Sequence, residues 1–150
     1  MTDTGKARIL VVDDDKTIGK SITAALEEEG YLAEAAENGR EAIRKSEKKV
    51  YNLTLIDIRL PDMDGVQLLT SLKETTPKMV KIIITGYPSL QNAVEAVNKG
   101  ADGYIVKPIQ MHELLTMIKE HLQKQQEAAE YTERKVVEYI ETRAKELESR

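Results

Sequence analysis

The feature that most constrains the fold is a regular alternation of short apolar runs with longer amphipathic segments. The apolar runs are RILVVD (8–13), LAEAA (32–36), LTLID (53–57), VKIIIT (80–85) and GYIVK (103–107). Runs this short, bounded by turn residues and mostly rich in Val and Ile, predict strands that are buried on both faces. The second run has the weakest strand propensity and therefore predicts an edge strand.

The segments between these runs have the apolar spacing of helices, for example Ile18, Ile22 and Leu26, or Ala93, Val94 and Val97. Gly30 and Gly100 stand where helices should end, while Asn38 (followed by Glu41) and Ser89 predict helix starts. A (βα)5 alternation implies parallel strands joined by right-handed crossovers. Five units are too few for an eight-stranded barrel, so we expect an α/β fold with an open, doubly wound, five-stranded parallel sheet.

Composition excludes several classes of function. The net charge is −4, and it gives no global positive field that would attract nucleic acid or an anionic membrane. Cysteine is absent, which excludes disulfides, thiolate metal sites and cysteine nucleophiles and fits a reducing compartment. No window approaches the roughly 20 apolar residues that cross a bilayer. We therefore expect a cytoplasmic protein that binds neither membranes nor nucleic acid directly.

Chemically useful side chains stand at the carboxyl ends of four predicted strands, where such sheets bind ligands. They are Asp13 and Asp14, Asp57, Thr85 and Lys107. Two like charges 4 Å apart repel by about 4 kcal/mol at an effective dielectric near 20, so the acids need a proton, the lysine or a cation. Oxygen ligands without His or Cys, in a small open set that leaves room for water, favour Mg²⁺ over Ca²⁺, and Mn²⁺ is also possible. A carboxylate beside such an ion and a lysine suits an aspartate that accepts a phosphoryl group.

Four motifs, ILVVDDD, LIDIRLPDMDG, IIITGY and GADGYIVKP, occur in the order and spacing of a known family. The chain resembles the response-regulator receiver domain of two-component signalling over roughly residues 7–124. The resemblance implies the CheY-like strand order 2-1-3-4-5, here with a C-terminal helical extension. It also implies a phosphoacceptor that receives its phosphoryl group from a sensor histidine kinase and catalyses only its own phosphorylation and dephosphorylation.

Carried over by position, the resemblance makes Asp57 the phosphorylated residue. It makes Asp13 and Asp14 the acid pair for Mg²⁺, Asp14 directly and Asp13 through water, and adds the backbone carbonyl of Arg59 as a ligand. Lys107 and Thr85 would bind phosphoryl oxygens.

Other family positions concern regulation and backbone conformation. Thr85 and Tyr104 would form the conformational switch, although Tyr104 could equally be a core residue. Arg59 and Tyr87 occupy positions that tune phosphoryl lifetime. The Lys107–Pro108 bond matches one that is usually cis.

Other interpretations of the acidic motif are less consistent with the residues. DMDG half-resembles a phosphatase nucleophile motif and the start of a calcium loop, but Pro61 and Arg59 interrupt the required strand, and no glutamate closes a calcium loop. We assign Asp62 and Asp64 to the turn and the helix start, and Asp15 to a helix N-cap. A pseudo-receiver that acts as a scaffold without phosphorylation remains an alternative.

We divide the chain into a receiver domain, 1–124, and a charged helical tail, 125–150. The tail is either a solvated helix or a coiled-coil helix that pairs with a second copy, because its apolar seam is partial and is interrupted by Gln125 and Thr132. A homodimer could also form through the fourth helix, fifth strand and fifth helix. The output remains open between a stand-alone receiver and the receiver fragment of a larger transcriptional regulator or hybrid kinase.

Overall fold

A computed structural model describes residues 5–149 and confirms the expected alternation of strands and helices. The strands are β1 (Arg8–Val12), β2 (Leu32–Ala36), β3 (Leu53–Asp57), β4 (Val80–Thr85) and β5 (Gly103–Val106). The helices are α1 (Lys16–Glu28), α2 (Gly39–Lys48), α3 (Gly65–Ser71), α4 (Leu90–Asn98) and α5 (Met111–Glu148). All four strand pairings are parallel, in the order β2-β1-β3-β4-β5. The expected fold is therefore confirmed, with the weak second strand at an edge.

The sheet is buried on both faces because consecutive strand residues point to opposite sides. Leu10, Ile56 and Ile83 belong to one apolar cluster, whereas Ile9 and Leu55 belong to the other. Each cluster is completed by helices on its own face, as a doubly wound fold requires. This packing holds the carboxyl ends of the central strands at one edge of the molecule.

Helix boundaries follow the side chains that the sequence indicated. Asp15, Asn38 and Ser89 each accept a hydrogen bond from a backbone N–H in the first turn of a helix. Gly30 and Gly100 follow α1 and α4 with φ values of +94° and +103°, a conformation that glycine adopts without Cβ strain. The carboxylate of Glu41 accepts from the N–H of Glu37 rather than from that of the cap residue.

Helix α4 is packed differently from the other helices. Ala96 is its buried residue, whereas Leu90, Val94 and Val97 are 82%, 50% and 64% exposed. Val106 at the end of β5 is also exposed. The α4–β5 side of the molecule therefore presents apolar side chains to solvent.

Helix α5 leaves the domain after Gln125. The Gln125 amide nitrogen donates to the carbonyl oxygens of Asn52 and Lys78 at 2.9 and 2.8 Å, and its oxygen accepts from the Asn52 side chain at 3.2 Å. Every residue from 126 to 149 is exposed. Within residues 5–149, no helix combines the length and apolar character that crossing a membrane requires.

Candidate functional site

The site is built around Asp57, the last residue of β3, which is 7% exposed. Its Oδ1 accepts a hydrogen bond from the N–H of Arg59 at 2.9 Å. The start of α3 packs tightly behind it, because a Cβ on Gly65 would lie 2.8 Å from the Cα of Ile58 and against the carbonyl of Asp57. The strand end is thus held in place by backbone packing.

Two further carboxylates come from the end of β1. Asp13 is 6% exposed, and its Oδ1 accepts from the N–H of Asp15 at 2.9 Å, whereas Asp14 is exposed. One oxygen from each of Asp13, Asp14 and Asp57 can be chosen so that all three lie within 4.8 Å of one another. Parallel neighbouring strands β1 and β3 bring these acids together.

Lys107, just beyond β5, is the cation of the cluster. Its Nζ lies 2.9 Å from Asp57 Oδ2 and 3.8 Å from Asp13 Oδ2. Burial alone would lower the pKa of Lys107, but its hydrogen bond to Asp57 and the nearby negative charges raise that pKa above its ordinary value. Lys107 is therefore held in its charged form, and its peptide bond to Pro108 is cis, as expected.

The pKa of Asp13 is raised by burial and by the neighbouring carboxylates. Burial raises the pKa of its carboxyl to about 6, and the negative charge of Asp57 adds to the rise, although the Asp15 N–H opposes it. The cluster contains three carboxylates and one ammonium, so the lysine leaves negative charge uncompensated. A hard divalent cation fits this donor set, since all three side chains offer oxygen atoms and Asp14 remains open to solvent.

A cavity of about 480 Å³ opens onto this cluster. Its wall includes Asp14, Asp57 and Lys107 together with Arg59 and Tyr87. The Arg59 guanidinium lies 3.7 Å from the centre of the Tyr87 ring, which is a cation–π contact between the loops after β3 and β4. This pair therefore lines the same cavity as Asp57.

Thr85 and Tyr104 lie on neighbouring strands beside the cluster. Thr85 is fully buried, and its hydroxyl oxygen accepts from the N–H of Tyr87 at 2.9 Å. Tyr104 packs against the apolar cluster that contains Ile83, and its buried hydroxyl has no hydrogen-bond partner within residues 5–149. The ring of Tyr104 thus faces the core, although its hydroxyl makes no hydrogen bond there within residues 5–149.

The remaining acids of the motif have structural contacts. Asp64 caps α3, as expected, through the N–H of Val66. Asp62 does more than form a turn: its two oxygens accept from the N–H groups of Gly39 and Arg40 at the start of α2. Sequence spacing gives no signal for this contact, because the partners lie more than 20 residues away.

His112 is exposed, whereas His121 is partly buried along α5.

Comparison with known proteins decides the family. Residues 9–119 match the sequence profile of the response regulator receiver domain. The chain belongs to the response regulator receiver family. A receiver domain protein (CheY-like) from Methanospirillum hungatei JF-1 is 46% identical, with a TM-score of 0.79 over 83% of this chain and 99% of that one. The beryllofluoride-activated NtrC4 receiver domain dimer is 39% identical, with a TM-score of 0.73 over 79% of this chain and 98% of that one.

Curated relatives of this receiver include transcriptional regulators. The transcriptional regulatory protein ZraR of Klebsiella oxytoca is 40% identical over 114 residues, which is 76% of this chain but 26% of ZraR. The receiver therefore spans about a quarter of the length of that relative.

Proposed function

We propose that this receiver accepts a phosphoryl group on Asp57 from a sensor histidine kinase and relays the signal by a change of conformation. The observation that carries the proposal is the contact of Lys107 with Asp57 at 2.9 Å inside a cluster of three carboxylates at the mouth of a cavity. Membership of the receiver family supports it. The protein is then a phosphoacceptor of the cytoplasm, where kinases and their phosphoryl donors act.

In the transfer step, an oxygen of Asp57 attacks phosphorus in line, a P–N bond to the kinase histidine breaks, and the histidine nitrogen keeps the electron pair. Lys107 stays charged and moves its ammonium from the carboxylate to a phosphoryl oxygen. Asp13, Asp14, Asp57 and the Arg59 carbonyl would hold Mg²⁺ or Mn²⁺. When bound, that ion neutralises negative charge on the phosphoryl oxygens.

We propose that Thr85 and Tyr104 carry the response. Phosphorylation adds negative charge and acceptor oxygens at Asp57. The Thr85 hydroxyl, now held by the Tyr87 N–H, would turn to donate to one of them. The Tyr104 ring, which already lies inward, would be retained there, and the movement of Thr85 with the loop that carries Tyr87 would change the shape of the exposed apolar side formed by α4 and β5.

The experiment that tests the acceptor role is intact mass spectrometry after incubation with acetyl phosphate and Mg²⁺. We expect one phosphoryl adduct, which is lost when EDTA replaces Mg²⁺ and when Asp57→Ala replaces the wild type. If folded wild-type protein gains no adduct from acetyl phosphate or phosphoramidate, the acceptor role is wrong and the pseudo-receiver scaffold becomes the better account.

A second candidate is that this receiver serves a longer transcriptional regulator. It is favoured by ZraR, in which the matched region is 26% of the length. The length of the native reading frame tests it directly. A frame that encodes a DNA-binding region after the tail would support this role, and a frame of the present length would exclude it.

A further inference from the structure

The face with which α5 packs on the domain continues along the exposed tail. Leu114 and Ile118 of this face are buried in the core. From Ile118, steps of three or four residues lead along the same side of the helix, because an α-helix repeats every 3.6 residues. The positions reached are Leu122, Gln125, Ala129, Thr132, Val136, Ile140, Arg143 and Leu147. We call the part beyond Gln125 the tail stripe.

The tail stripe has large apolar side chains but no cover within residues 5–149. Val136, Ile140 and Leu147 are 51%, 59% and 54% exposed. Within the described tail, local support comes from a few side-chain pairs, such as Lys135 with Glu138. In proteins most helical stability comes from the packing of an apolar face rather than from helix propensity. Cover of these exposed side chains by a partner helix would therefore stabilise the tail.

The order of small and large side chains along the stripe differs in its consequences for parallel and antiparallel pairing with a second copy. Its domain-proximal end has small residues, Ala129 and Thr132, and its distal end has the large residues Ile140 and Leu147. In a parallel pair, the small residues would face small residues and the large residues would face large residues. Arg143 would then face Arg143 of the second copy. In an antiparallel pair, each small end receives the large end of the partner, and Arg143 faces a different residue.

We propose that the tails of two copies pair antiparallel about a two-fold axis near residue 138. Val136 and Ile140 lie two residues on either side of 138, Glu133 and Arg143 lie five, and Ala129 and Leu147 lie nine. Val136 therefore faces Ile140 of the second copy, and Ala129 faces its Leu147.

Charges agree with this register. Arg143 already contacts Glu146 of its own helix at 2.9 Å, and the second copy adds Glu133 instead of another arginine.

A groove at the start of the tail supports the same register. It has a volume of about 640 Å³ and lies between α5 and the segment that leads into β4. Pro77 and Met79 line one side, and Ala128, Ala129 and Thr132 line the other. The antiparallel register carries Leu147 of the second copy to Ala129, at the edge of this groove. The contact is self-complementary, as a two-fold dimer requires, and does not depend on phosphorylation of Asp57.

Disulfide formation in the full chain tests the direction, because the protein has no cysteine of its own. We would make Ala129→Cys and Leu147→Cys separately and oxidise each alone and the two mixed. The antiparallel pair predicts a disulfide-linked dimer in the mixture and none in either variant alone, since a disulfide needs Cα atoms within about 7 Å. Linked dimers of each variant alone, or no linked dimer in the mixture, would overturn the proposal.

Sedimentation of charge variants provides a second test that does not need cross-linking. Val136→Glu places a carboxylate at the centre of the pair and should convert the unmodified dimer to a monomer. Tyr131→Glu is the matched control, because Tyr131 is 55% exposed and lies on the other side of the helix. It should leave the dimer intact. A monomeric wild type, or equal effects of the two variants, would contradict the proposed pairing.

Discussion

At the scale of single residues, the site depends on a balance of charge that only the fold creates. Lys107 lies about 50 residues from Asp57 in the sequence, yet it donates to that carboxylate at 2.9 Å. Asp13 shares the same ammonium at 3.8 Å, and its pKa is raised to about 6 by burial first and by the charge of Asp57 in addition. The positive charge of one lysine thus offsets part of the negative charge of both Asp57 and Asp13.

Replacing that lysine should increase the need for a cation. In Lys107→Met the carboxylates lose their ammonium, so the metal-free protein should lose about 1–3 kcal/mol of stability, and its affinity for Mg²⁺ should rise. Thermal unfolding with and without Mg²⁺ measures both effects. The control is Lys16→Met, whose lysine lies 3.6 Å from Glu37 on the surface, and it should change neither quantity. An unchanged Mg²⁺ response in Lys107→Met would contradict this account of the charges.

Glu34 on β2 is a second charge centre, away from the site. Its carboxylate accepts from Arg8 at 2.9 Å, Tyr51 at 3.1 Å and Lys49 at 3.2 Å. Burial raises the pKa of Glu34, but these donors outweigh burial and hold the pKa below its ordinary value of 4.5. Because the folded-state pKa is lowered, the ionised carboxylate stabilises the fold above pH 4.5 and loses that contribution as pH falls through the lowered pKa.

Glu34→Gln should remove this pH dependence. We expect the variant to be less stable than the wild type at neutral pH, with the difference shrinking as pH falls below 4.5. Urea unfolding at a series of pH values measures the difference. A difference that stays constant from neutral pH to strongly acidic pH would show that the Glu34 charge does not stabilise the fold.

At the scale of elements, the close approach of α3 to the end of β3 positions Asp57. Gly65→Ala would place a Cβ 2.8 Å from the backbone of Ile58, where no flexible side chain can yield. We expect the free energy of unfolding of Gly65→Ala to fall by about 1–3 kcal/mol or more, the usual cost of overpacking. Gly19→Ala inside α1 is the matched control, because its Cβ would meet only the Cβ of Ala35 at 3.9 Å.

The control variant should gain about 0.5–1 kcal/mol, because alanine replaces glycine in a helix interior. Equilibrium denaturation of both variants measures the two changes. Equal effects of Gly65→Ala and Gly19→Ala would mean that the packing of α3 against β3 is loose. Such a result would remove our explanation for the fixed position of Asp57.

Prediction from sequence succeeded where local patterns determine structure. The strand runs and caps were visible, and the convergence of Asp13, Asp57 and Lys107 followed from parallel strands whose carboxyl ends share one edge. Prediction from sequence failed for side chains whose role is set by contacts with residues far away in the sequence. Asp62 binds two N–H groups of α2, and Gln125, which we interpreted as an interruption of the apolar seam, ties α5 to Asn52 and Lys78.

The same limit explains α4. Ala93, Val94 and Val97 have the spacing of a core-facing stripe, but Ala96 is the residue that the helix buries. Spacing identifies an apolar side without saying what covers it. The exposed valines therefore belong to the surface of the whole molecule rather than to its core.

At the scale of the whole molecule, two exposed apolar surfaces should have different roles. In our proposals the tail stripe pairs copies independently of phosphorylation, whereas the α4–β5 side lies next to Thr85 and Tyr104, the residues proposed to form the switch. Leu90, Val94 and Val97 of this side are exposed, so its apolar side chains are available to a partner. We therefore expect activation to create a contact through α4 and β5 that the unmodified receiver lacks.

Sedimentation of a tail-disrupted protein isolates that contact. In the Val136→Glu background, beryllofluoride with Mg²⁺ should convert monomers to dimers, and adding Val94→Glu should prevent the conversion because it charges the exposed side of α4. The added control Tyr131→Glu should have no effect. Equal sedimentation with and without beryllofluoride would contradict the role of this surface.

The central claim is that Asp57 becomes an acyl phosphate, and chemical trapping of that bond tests it most directly. The receiver would be phosphorylated with acetyl phosphate and Mg²⁺, reduced with borohydride and digested for peptide mass analysis. We predict homoserine at position 57 and an unchanged aspartate at positions 13, 14, 62 and 64. Homoserine at another position, or none in a folded and Mg²⁺-supplied sample, would contradict the account.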